Sequence, residues 1–185
     1  MEDNFKNIID LLDQGKVILY PTDTIWGLGC DALNTGAIKK IYKIKQRELN
    51  KPFIVLVSSI EMLKEYIQDI HPRVETLLLY HKRPLTLIYP KGKNLPSILM
   101  KNKKIAIRII KEPVIAELIE KFGRPIVSTS ANIAGADFPK SYNEINKEII
   151  EAVDYTFKYK QNDPHPGSPS VIATYNKKGK LKFLR

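Results

Sequence analysis

Residues 16–31, KVILYPTDTIWGLGCD, form the stretch around which the rest of this chain is organised. The apolar and β-branched residues 17–20 predict a short buried strand. Pro21 lacks the amide proton that a central strand needs, so it ends the strand and places the polar run at 22–24 on a loop. Loops at strand ends carry much of the chemistry of α/β proteins. The plainer alternative is a strand, a turn and a second buried strand that contains Trp26.

The composition limits the classes of protein to which the chain can belong. Its 185 residues are 43% hydrophobic, which suits one domain with a substantial core. The net charge of +10 favours a polyanion such as RNA, or phosphorylated substrates, although it also serves solubility. The lone Cys30 excludes a disulfide framework and a thiolate metal cluster. Without a signal-peptide pattern or a long apolar run, we expect a cytoplasmic protein that does not span a membrane.

Strand and helix patterns alternate along the chain, which predicts a single α/β (α+β) domain over residues 1–185 with a mixed sheet flanked by helices. A helix with Asp3 or Asn4 as its cap precedes the first strand. Further strands are predicted at residues 53–57, 85–89, 105–109 and 125–128 and in the tail from 154. Further helices are predicted after residue 34 or 35, after 58 or 59, after 72, at 113–121 and at about 142–151.

A cationic group follows the second predicted helix, in KQR and the lysine four residues later. Lys45 and Arg47 are two cations one residue apart at a helix end, and Lys51 follows. Such a pair can enter a shared cleft, where the planar guanidinium suits phosphate or carboxylate. The alternative is that these side chains only complement the helix dipole and face solvent.

A second polar group, STSAN, follows the strand that begins PIV. Its hydroxyls and amide, which include Ser128, Ser130 and Asn132, are neutral donors suited to a phosphate. Arg108 belongs with this group because it interrupts the apolar strand IAIRII. A charged guanidinium inside such a strand is tolerated only if it has an anionic partner or faces a water-filled cleft. The alternative for Arg108 is a charge on an edge strand.

Several familiar sites are missing from the sequence. It contains neither GxxxxGK[ST] nor GxGxxG, so neither a P-loop nor a Rossmann fingerprint would bind a nucleotide. It has no HExxH motif or Cys/His cluster for zinc, and none of its three histidines has a recognisable nucleophile as a partner. We therefore expect a site that binds and orients charged reactants without a protein nucleophile or a protein-bound metal.

Five blocks of the sequence occur in a fixed order: YPTDTIWGLGCDA, KIYKIKQRELNKPFIVLV, PLTLIYP, IAIRI and PIVSTSANIAG. Together they resemble the YrdC/Sua5 family of L-threonylcarbamoyladenylate synthases. The resemblance covers nearly the whole chain. It implies a twisted mixed sheet of the YrdC/RibB type around an open, basic, concave cleft. It also implies the reaction of L-threonine, bicarbonate and ATP to threonylcarbamoyl-AMP and pyrophosphate, the first step of threonylcarbamoyladenosine (t6A) modification of tRNA.

The resemblance also implies roles for individual residues. Lys45 and Arg47 would stabilise the transition state and the phosphates. The predicted ATP-binding residues are Lys45, Arg47, Lys51, Ser130, Asn132 and Arg185. The predicted threonine-binding residues are Thr24, Arg108, Ser128 and Ser170. Two positions depart from the family pattern and concern the threonine contacts. Val171 replaces a usual threonine, and Leu56 stands where several members have a histidine.

The implied reaction joins two anions, an N-carboxylate of threonine and ATP, so cations that offset their repulsion are the expected catalytic groups. We expect Mg²⁺ to accompany ATP and be held through phosphates and waters, because no carboxylate cage is visible. We also expect tRNA or other RNA to bind along the basic cleft and a separate tRNA threonylcarbamoyl transferase to use the product.

Two alternative functions come from the same residues. A non-enzymatic RNA-binding module in tRNA or ribosome maturation would use the positive charge, including the lysines of residues 91–104. Against it, the chain has no RNP-type aromatic block and no GXXG clamp. A carbamoyl-adenylate-forming part of a larger maturation enzyme is opposed by the absence of zinc-finger cysteines.

Overall fold

Strands from all parts of the chain meet in one sheet in the computed structural model, which describes residues 3–163 and 167–184. The strands are β1 (Ile18–Tyr20), β2 (Gly27–Gly29), β3 (Ile54–Val57), β4 (Leu85–Tyr89), β5 (Ile105–Ile109), β6 (Ile126–Ser130), β7 (Tyr155–Thr156), β8 (Val171–Tyr175) and β9 (Leu181–Phe183). Within the described residues their order in the sheet is β7-β1-β2-β6-β3-β5-β4-β8-β9. The sheet contains three parallel pairs (β1 with β7, β3 with β5, β4 with β8) among antiparallel ones within the described residues, which confirms the predicted mixed sheet.

The helices begin where the sequence offers caps. The α-helices are α1 (Phe5–Asp13), α2 (Thr35–Ile44), α3 (Ile60–Tyr66), α4 (Pro72–Tyr80), α5 (Pro113–Phe122) and α6 (Lys147–Ala152). The side chains of Asn4, Asn34 and Ser59 accept hydrogen bonds from backbone amides in the first turns of α1, α2 and α3. Gly123 ends α5 in the left-handed conformation that glycine adopts without strain.

One predicted helix, residues 142–151, was wrong in its extent. Tyr142–Glu144 forms a short 3₁₀ turn, and α6 begins only at Lys147. The Asn146 side chain accepts a hydrogen bond from the Glu148 amide, so this residue caps a new helix where the sequence pattern suggested a continuous one.

Alternation along the central strands separates an apolar layer from a polar floor. Val55, Leu87, Ile107 and Val127 lie on one face and are almost fully buried. Their neighbours point to the opposite face because side chains alternate along a strand. That opposite face carries Ile54, Leu56, Thr86, Ile88, Ala106, Arg108, Ser128 and Ser130. The polar residues in this set make the face the floor of a pocket and not a second core layer.

Arg108 lies in the interior of the sheet and not on an edge. Strand β5 pairs with β3 on one side and β4 on the other, and Arg108 faces Leu56 and Thr86 in the register. An arginine at this position is surrounded laterally by two strands, so its charge must be met from above the sheet. The edge-strand alternative is therefore wrong.

The segment after α6 returns to the sheet through polar anchors. Asp3 accepts hydrogen bonds from the amides of Lys158 and Tyr159. The buried carboxylate of Glu112 accepts from the hydroxyl of Tyr159 at 3.0 Å and from the ammonium of Lys160 at 2.5 Å. These contacts fix the start of the connection that brings β8 beside β4.

None of the helices in the described part of the chain combines the length and apolar character that spanning a membrane requires.

Gly29 marks the tightest packing in the first strand pair. A β-carbon at this position would lie 2.6 Å from Cε1 of Tyr20 and 2.7 Å from the carbonyl oxygen of Val127. We expect Gly29→Ala to lower the free energy of unfolding by about 1–3 kcal/mol, the usual cost of overpacking a core. Urea denaturation measures this loss.

Gly27→Ala is the matched control in the same strand. Its β-carbon would approach the Ser128 hydroxyl only to 3.3 Å and the Thr129 carbonyl oxygen to 3.4 Å, so we expect a smaller loss. Equal losses for the two variants would show that the close approach at Gly29 is not what limits this position.

Candidate functional site

A pocket of about 580 Å³ lies on the polar floor of the sheet. Among the described residues, its lining contains four cations and no carboxylate. The cations are Arg47, Lys101, Lys104 and Arg108. Aromatic and apolar side chains form the remaining walls. They include Trp26, Phe53, Ile88 and Phe138. This combination of a few polar groups with apolar walls is typical of a small-molecule site.

Thr22 and Thr24, on the loop after Pro21, form one end of the pocket with Arg108. The Thr22 hydroxyl donates to the Ile25 carbonyl at 2.8 Å and accepts from the Thr24 amide at 3.0 Å. Because the single hydroxyl proton of Thr22 is used in this way, the Thr24 hydroxyl is the donor in the 2.7 Å hydrogen bond between the two hydroxyls. The Thr24 oxygen also accepts a hydrogen bond from Arg108 at 2.9 Å. Thr24 therefore keeps only acceptor capacity for a ligand, which must offer it an N–H or O–H group.

Asp23 supplies the charge that Arg108 needs. Its Oδ1 lies 3.5 Å from Nη2 of Arg108, and the two side chains are only 9% and 4% exposed. Its other oxygen accepts from the Lys111 amide at 3.1 Å, just beyond the end of β5. Within the described part of the chain, neither Oδ1 of Asp23 nor Nε of Arg108 has a hydrogen-bond partner. The pair is thus an ion pair without full hydrogen bonding, and Arg108 retains donors for a ligand.

Hydroxyl groups from two strands and from the residue before a third lie on the same side of the sheet as the guanidinium of Arg108. Thr86 faces Arg108 in the register, and its hydroxyl lies 2.8 Å from that of Ser170, just before β8. Ser128, on β6, is buried and lines the same pocket. The structure therefore brings together all four predicted threonine-binding residues, Thr24, Arg108, Ser128 and Ser170, in the lining of one pocket.

Arg47 lies where the large pocket meets a smaller one. Its guanidinium stacks over the Phe53 ring at 5.1 Å and donates through Nε to the Lys51 carbonyl at 2.9 Å. A second, longer bond joins Nη2 to the Pro52 carbonyl at 3.4 Å. These contacts orient the fork and leave its remaining N–H groups for an anion. The smaller pocket, of about 380 Å³, also contains Lys45, Lys51, Ser130 and Asn132.

Lys45 is turned inward and is only 1% exposed. Its ammonium donates to the Ser130 carbonyl at 2.6 Å and to the carbonyl and side-chain oxygens of Asn132 at 2.5 and 3.1 Å. Burial, with a smaller contribution from Arg47, lowers the pKa of Lys45 to about 7. The three acceptors oppose this shift, because a neutral amine has only two N–H donors. We therefore assign the ammonium form to Lys45 near neutral pH.

Lys45 thus organises the segment that follows β6. Ser130 donates to Asn132 Oδ1 at 2.5 Å, and the Ala134 amide donates to the Lys45 carbonyl at 2.8 Å. A direct contact of Lys45 with phosphate would require one of its three protein acceptors to be exchanged. Lys51, by contrast, is 60% exposed and pairs loosely with Glu48 at 3.4 Å. Arg185, the remaining predicted ATP-binding residue, lies outside the described residues.

The two positions that depart from the family pattern fall on different faces of the sheet. Leu56 is fully buried beside Arg108, on the same face of the sheet as the pocket but outside the pocket lining, and offers the arginine no hydrogen-bonding group. Val171 pairs with Leu85 and follows Ser170 by one residue, so it points away from the pocket. Only the leucine is therefore placed to alter the surroundings of Arg108.

The sequence did not identify several residues that line or support the site. Asp23 was assigned to the loop without a role, and Thr86 was quoted within PLTLIYP without one. The lysines at 101 and 104 were noted only as part of a lysine-rich connection. A threonine inside an apolar strand is the same signal that singled out Arg108, so Thr86 could have been found by that argument.

The described residues contain no group of three or more His, Cys, Asp or Glu side chains that could hold a metal ion. The donors that line the two pockets are chiefly hydroxyls, amides and cations, apart from Glu48 at the smaller pocket. Such a donor set fits anions, and a cation could enter it only together with an anionic ligand.

Comparisons with known proteins identify the family of this chain. The profile of the Sua5/YciO/YrdC family, described as "Telomere recombination", matches residues 10–185. A putative threonylcarbamoyl-AMP synthase of Methanocaldococcus jannaschii is 36% identical over 160 residues, which cover 83% of this chain and 74% of that protein. The threonylcarbamoyl-AMP synthase of Saccharophagus degradans is 38% identical over 145 residues, which cover 77% of this chain and 76% of that protein.

A solved structure shows the same fold. The crystal structure of P. abyssi Sua5 in complex with L-threonine is 25% identical and superimposes with a TM-score of 0.82. The match covers 98% of this chain and 53% of that protein, so this chain spans about half the length of Sua5. The extent of the profile match and the identity to these relatives show that the chain belongs to the Sua5/YciO/YrdC family.

Proposed function

We propose that this chain is a threonylcarbamoyl-AMP synthase, which converts L-threonine, bicarbonate and ATP into threonylcarbamoyl-AMP and pyrophosphate. The observation that carries the proposal is a single pocket with an Arg108–Thr24 group and an Arg47–Ser130 group on one sheet face. The names of the relatives and the threonine in the Sua5 complex support it.

The Arg108 group suits an amino acid. The guanidinium binds the α-carboxylate of threonine, because this arginine retains donors that Asp23 and Thr24 do not use. Thr24 accepts from the amine or the hydroxyl of the substrate, since its own proton is donated to Thr22. The hydroxyl pair of Thr86 and Ser170 adds a neutral donor and acceptor at the same end.

The Arg47 group suits the phosphates of ATP. Arg47 binds them as a fixed cation, and the Asn132 amide contributes a neutral donor whose position depends on Lys45 and on the hydrogen bond from the Ser130 hydroxyl. Lys51 reaches the same pocket from its exposed rim. The positive charge of Lys45 attracts the phosphates electrostatically, because the buried protein groups between them screen the charge less than water does.

The reaction proceeds in two bond-forming steps. The threonine amine attacks carbon dioxide derived from bicarbonate and loses a proton, which gives an N-carboxylate. A carboxylate oxygen then attacks the α-phosphorus of ATP, and the bond to the bridging oxygen breaks as pyrophosphate leaves with the electron pair. Arg108 and Arg47 offset the repulsion between the two anions and hold them in line.

Mg²⁺ enters this proposal as part of the MgATP substrate. The hydroxyl, amide and cationic lining holds phosphate oxygens, and residues 3–163 and 167–184 supply no cluster of carboxylates for a free ion. When bound to the phosphates, Mg²⁺ neutralises charge on the leaving group.

The product, a mixed anhydride of a carbamate and AMP, needs an acyl acceptor. We propose that a separate transferase passes the threonylcarbamoyl group to adenosine in tRNA. We also propose that tRNA binds along the basic cleft of this chain. We also place the reaction in the cytoplasm, as the sequence predicts.

Arg47→Ala tests the phosphate group. We expect threonine-dependent pyrophosphate release to fall about 10²- to 10³-fold, the scale lost with one preorganised donor to a developing charge. Steady-state pyrophosphate release with saturating ATP, bicarbonate and L-threonine measures the effect. Arg73→Ala, which removes an exposed arginine on α4, is the matched control. Near-normal pyrophosphate release by Arg47→Ala would contradict the assignment of Arg47 to the phosphates. If the wild type released no pyrophosphate and bound RNA with a steep salt dependence, the RNA-binding module would be favoured instead.

Amino-acid selectivity tests the threonine end. We expect L-serine to support pyrophosphate release about 10- to 200-fold less efficiently than L-threonine, because one methyl group in a pocket discriminates by about 1–3 kcal/mol. The comparison uses kcat/KM values under the same ATP and bicarbonate concentrations, with no amino acid as the blank. Equal efficiencies for the two amino acids would rule out a pocket that selects the γ-methyl group.

Arg108→Gln tests the carboxylate contact and the buried ion pair together. Loss of a charge-assisted bond should raise the KM for threonine about 10- to 100-fold and leave the KM for ATP close to that of the wild type. The variant also leaves Asp23 buried without its cation, which should cost about 3–5 kcal/mol of folding free energy.

Asp23→Asn combined with Arg108→Gln separates these two effects. The double variant removes the uncompensated charge, so we expect the folding free energy to recover in part while the threonine KM stays high. Denaturation curves and KM values measured on the same preparations provide the comparison. A threonine KM that returned to the wild-type value would show that Arg108 does not bind the substrate.

A further inference from the structure

The main chain of residues 101–104 forms a tight turn beside the pocket. The amides of Lys101 and Lys104 each donate to the carbonyl of the other residue at 3.0 Å. Between them, Asn102 and Lys103 have φ angles of 53° and 64°, two successive left-handed residues as in the tight turns of β-hairpins. The Gly92 amide binds the Lys103 carbonyl at 2.8 Å and ties the turn to the preceding segment.

The exposed turn contributes only some of its lysines to the pocket lining. Lys101, Asn102 and Lys104 line the large pocket, whereas Lys103 does not. Among the described residues no carboxylate forms an ion pair with Lys101 or Lys104, and none lines the large pocket. The turn therefore places two cations at a pocket in which the described residues provide no carboxylate to pair with them. This arrangement suits a ligand with negative charge.

The strand register places this turn at the Arg47 end of the pocket. Parallel pairing of Val55 with Ile107, continued toward the start of the strands, brings Lys104 level with Pro52. Antiparallel pairing of Ile54 with Ser128, continued in the same direction, brings Ser130 level with Pro52 as well. The Pro52 carbonyl also contacts Arg47. Lys104, Pro52 and Ser130 thus lie in one row across three neighbouring strands.

Arg108 lies at the opposite end of the pocket floor. It is four residues beyond Lys104 along β5, which corresponds to about 13 Å at the rise of an extended strand. This span leaves room between the two cations for two reactants bound side by side. Lys101 and Lys104 therefore face the phosphate end of the site from the wall opposite the Lys45–Asn132 segment.

We propose that Lys101 and Lys104 bind the β- and γ-phosphates of ATP and stabilise the pyrophosphate that leaves. This inference rests on the proposed function and deepens it by adding a second cationic wall to the phosphate site. When the N-carboxylate oxygen bonds to the α-phosphorus, the bond to the bridging oxygen breaks and its electron pair passes to pyrophosphate. Ammonium groups beside that leaving group offset the charge that it gains.

Inorganic tripolyphosphate tests the site without threonine or turnover. We expect Lys101→Gln and Lys104→Gln each to weaken tripolyphosphate binding about 5- to 10-fold in calorimetry, the loss expected for one charge-assisted contact at a partly exposed site. The double variant should lose about 30-fold or more by the same reasoning, while AMP affinity stays unchanged because AMP lacks the β- and γ-phosphates.

Lys103→Gln is the matched control because it removes the same charge from the same turn at a residue that does not line the pocket. We expect it to bind tripolyphosphate as the wild type does. Equal weakening by Lys103→Gln would assign the effect to general surface charge and overturn the proposal. Wild-type affinity in the Lys101→Gln and Lys104→Gln variants, or no tripolyphosphate binding by the wild type, would also overturn it.

Pyrophosphate release separates this inference from the proposed function. If the wild type releases pyrophosphate with threonine, the kcat of the Lys104→Gln variant should fall while its KM for threonine stays near the wild-type value. If the wild type releases none but the tripolyphosphate series behaves as expected, the phosphate site stands and the proposed reaction is wrong. Release by the wild type with an unaltered tripolyphosphate series would leave the reaction standing and refute the role of the two lysines.

Discussion

The buried ion pair between Asp23 and Arg108 is the contact on which the site depends. Arg108 lies in the middle of the sheet, where neighbouring strands offer it Leu56 and Thr86 and no charge. Its counterion comes from the loop after β1, which is thereby held over the end of β5 through the Lys111 amide. An uncompensated charge at this depth would oppose folding, so the loop and the strand stabilise each other. The same contact places the Thr24 hydroxyl next to the guanidinium.

A second buried cation performs the corresponding task at the other end of the site. Lys45 ends the second helix, and its ammonium collects three oxygens from Ser130 and Asn132. The two cations thus join elements that are far apart in sequence, and each leaves polar groups of its partner segment facing the pocket. One sheet face between them provides a continuous floor, which lets an amino acid and a nucleotide approach each other in line.

Local patterns in the sequence predicted much of this structure. The sequence narrowed each of the first three helix caps to two adjacent residues, because a capping side chain acts on amides only a few residues away. The structure shows that Asn4, Asn34 and Ser59 are the ones that cap. The strand at 105–109 and the anomaly of its arginine were recognised for the same local reason. The helix predicted at 142–151 was wrong because a second cap, Asn146, interrupts an otherwise helical pattern. Thr86 and Ser170 were not recognised as a pair because their contact depends on the parallel register of β4 and β8.

The sequence by itself determined the fold class, the family resemblance and the residue types of the site, because these follow from short-range periodicity and from motifs. Only the tertiary structure decided which charges meet. It turned Lys45 toward protein oxygens, gave Arg108 the carboxylate of Asp23, and brought Lys101 and Lys104 into the lining of the same pocket as Arg47. These pairings depend on strand order and register across a sheet, and a side chain's neighbours across strands are not encoded in its local sequence.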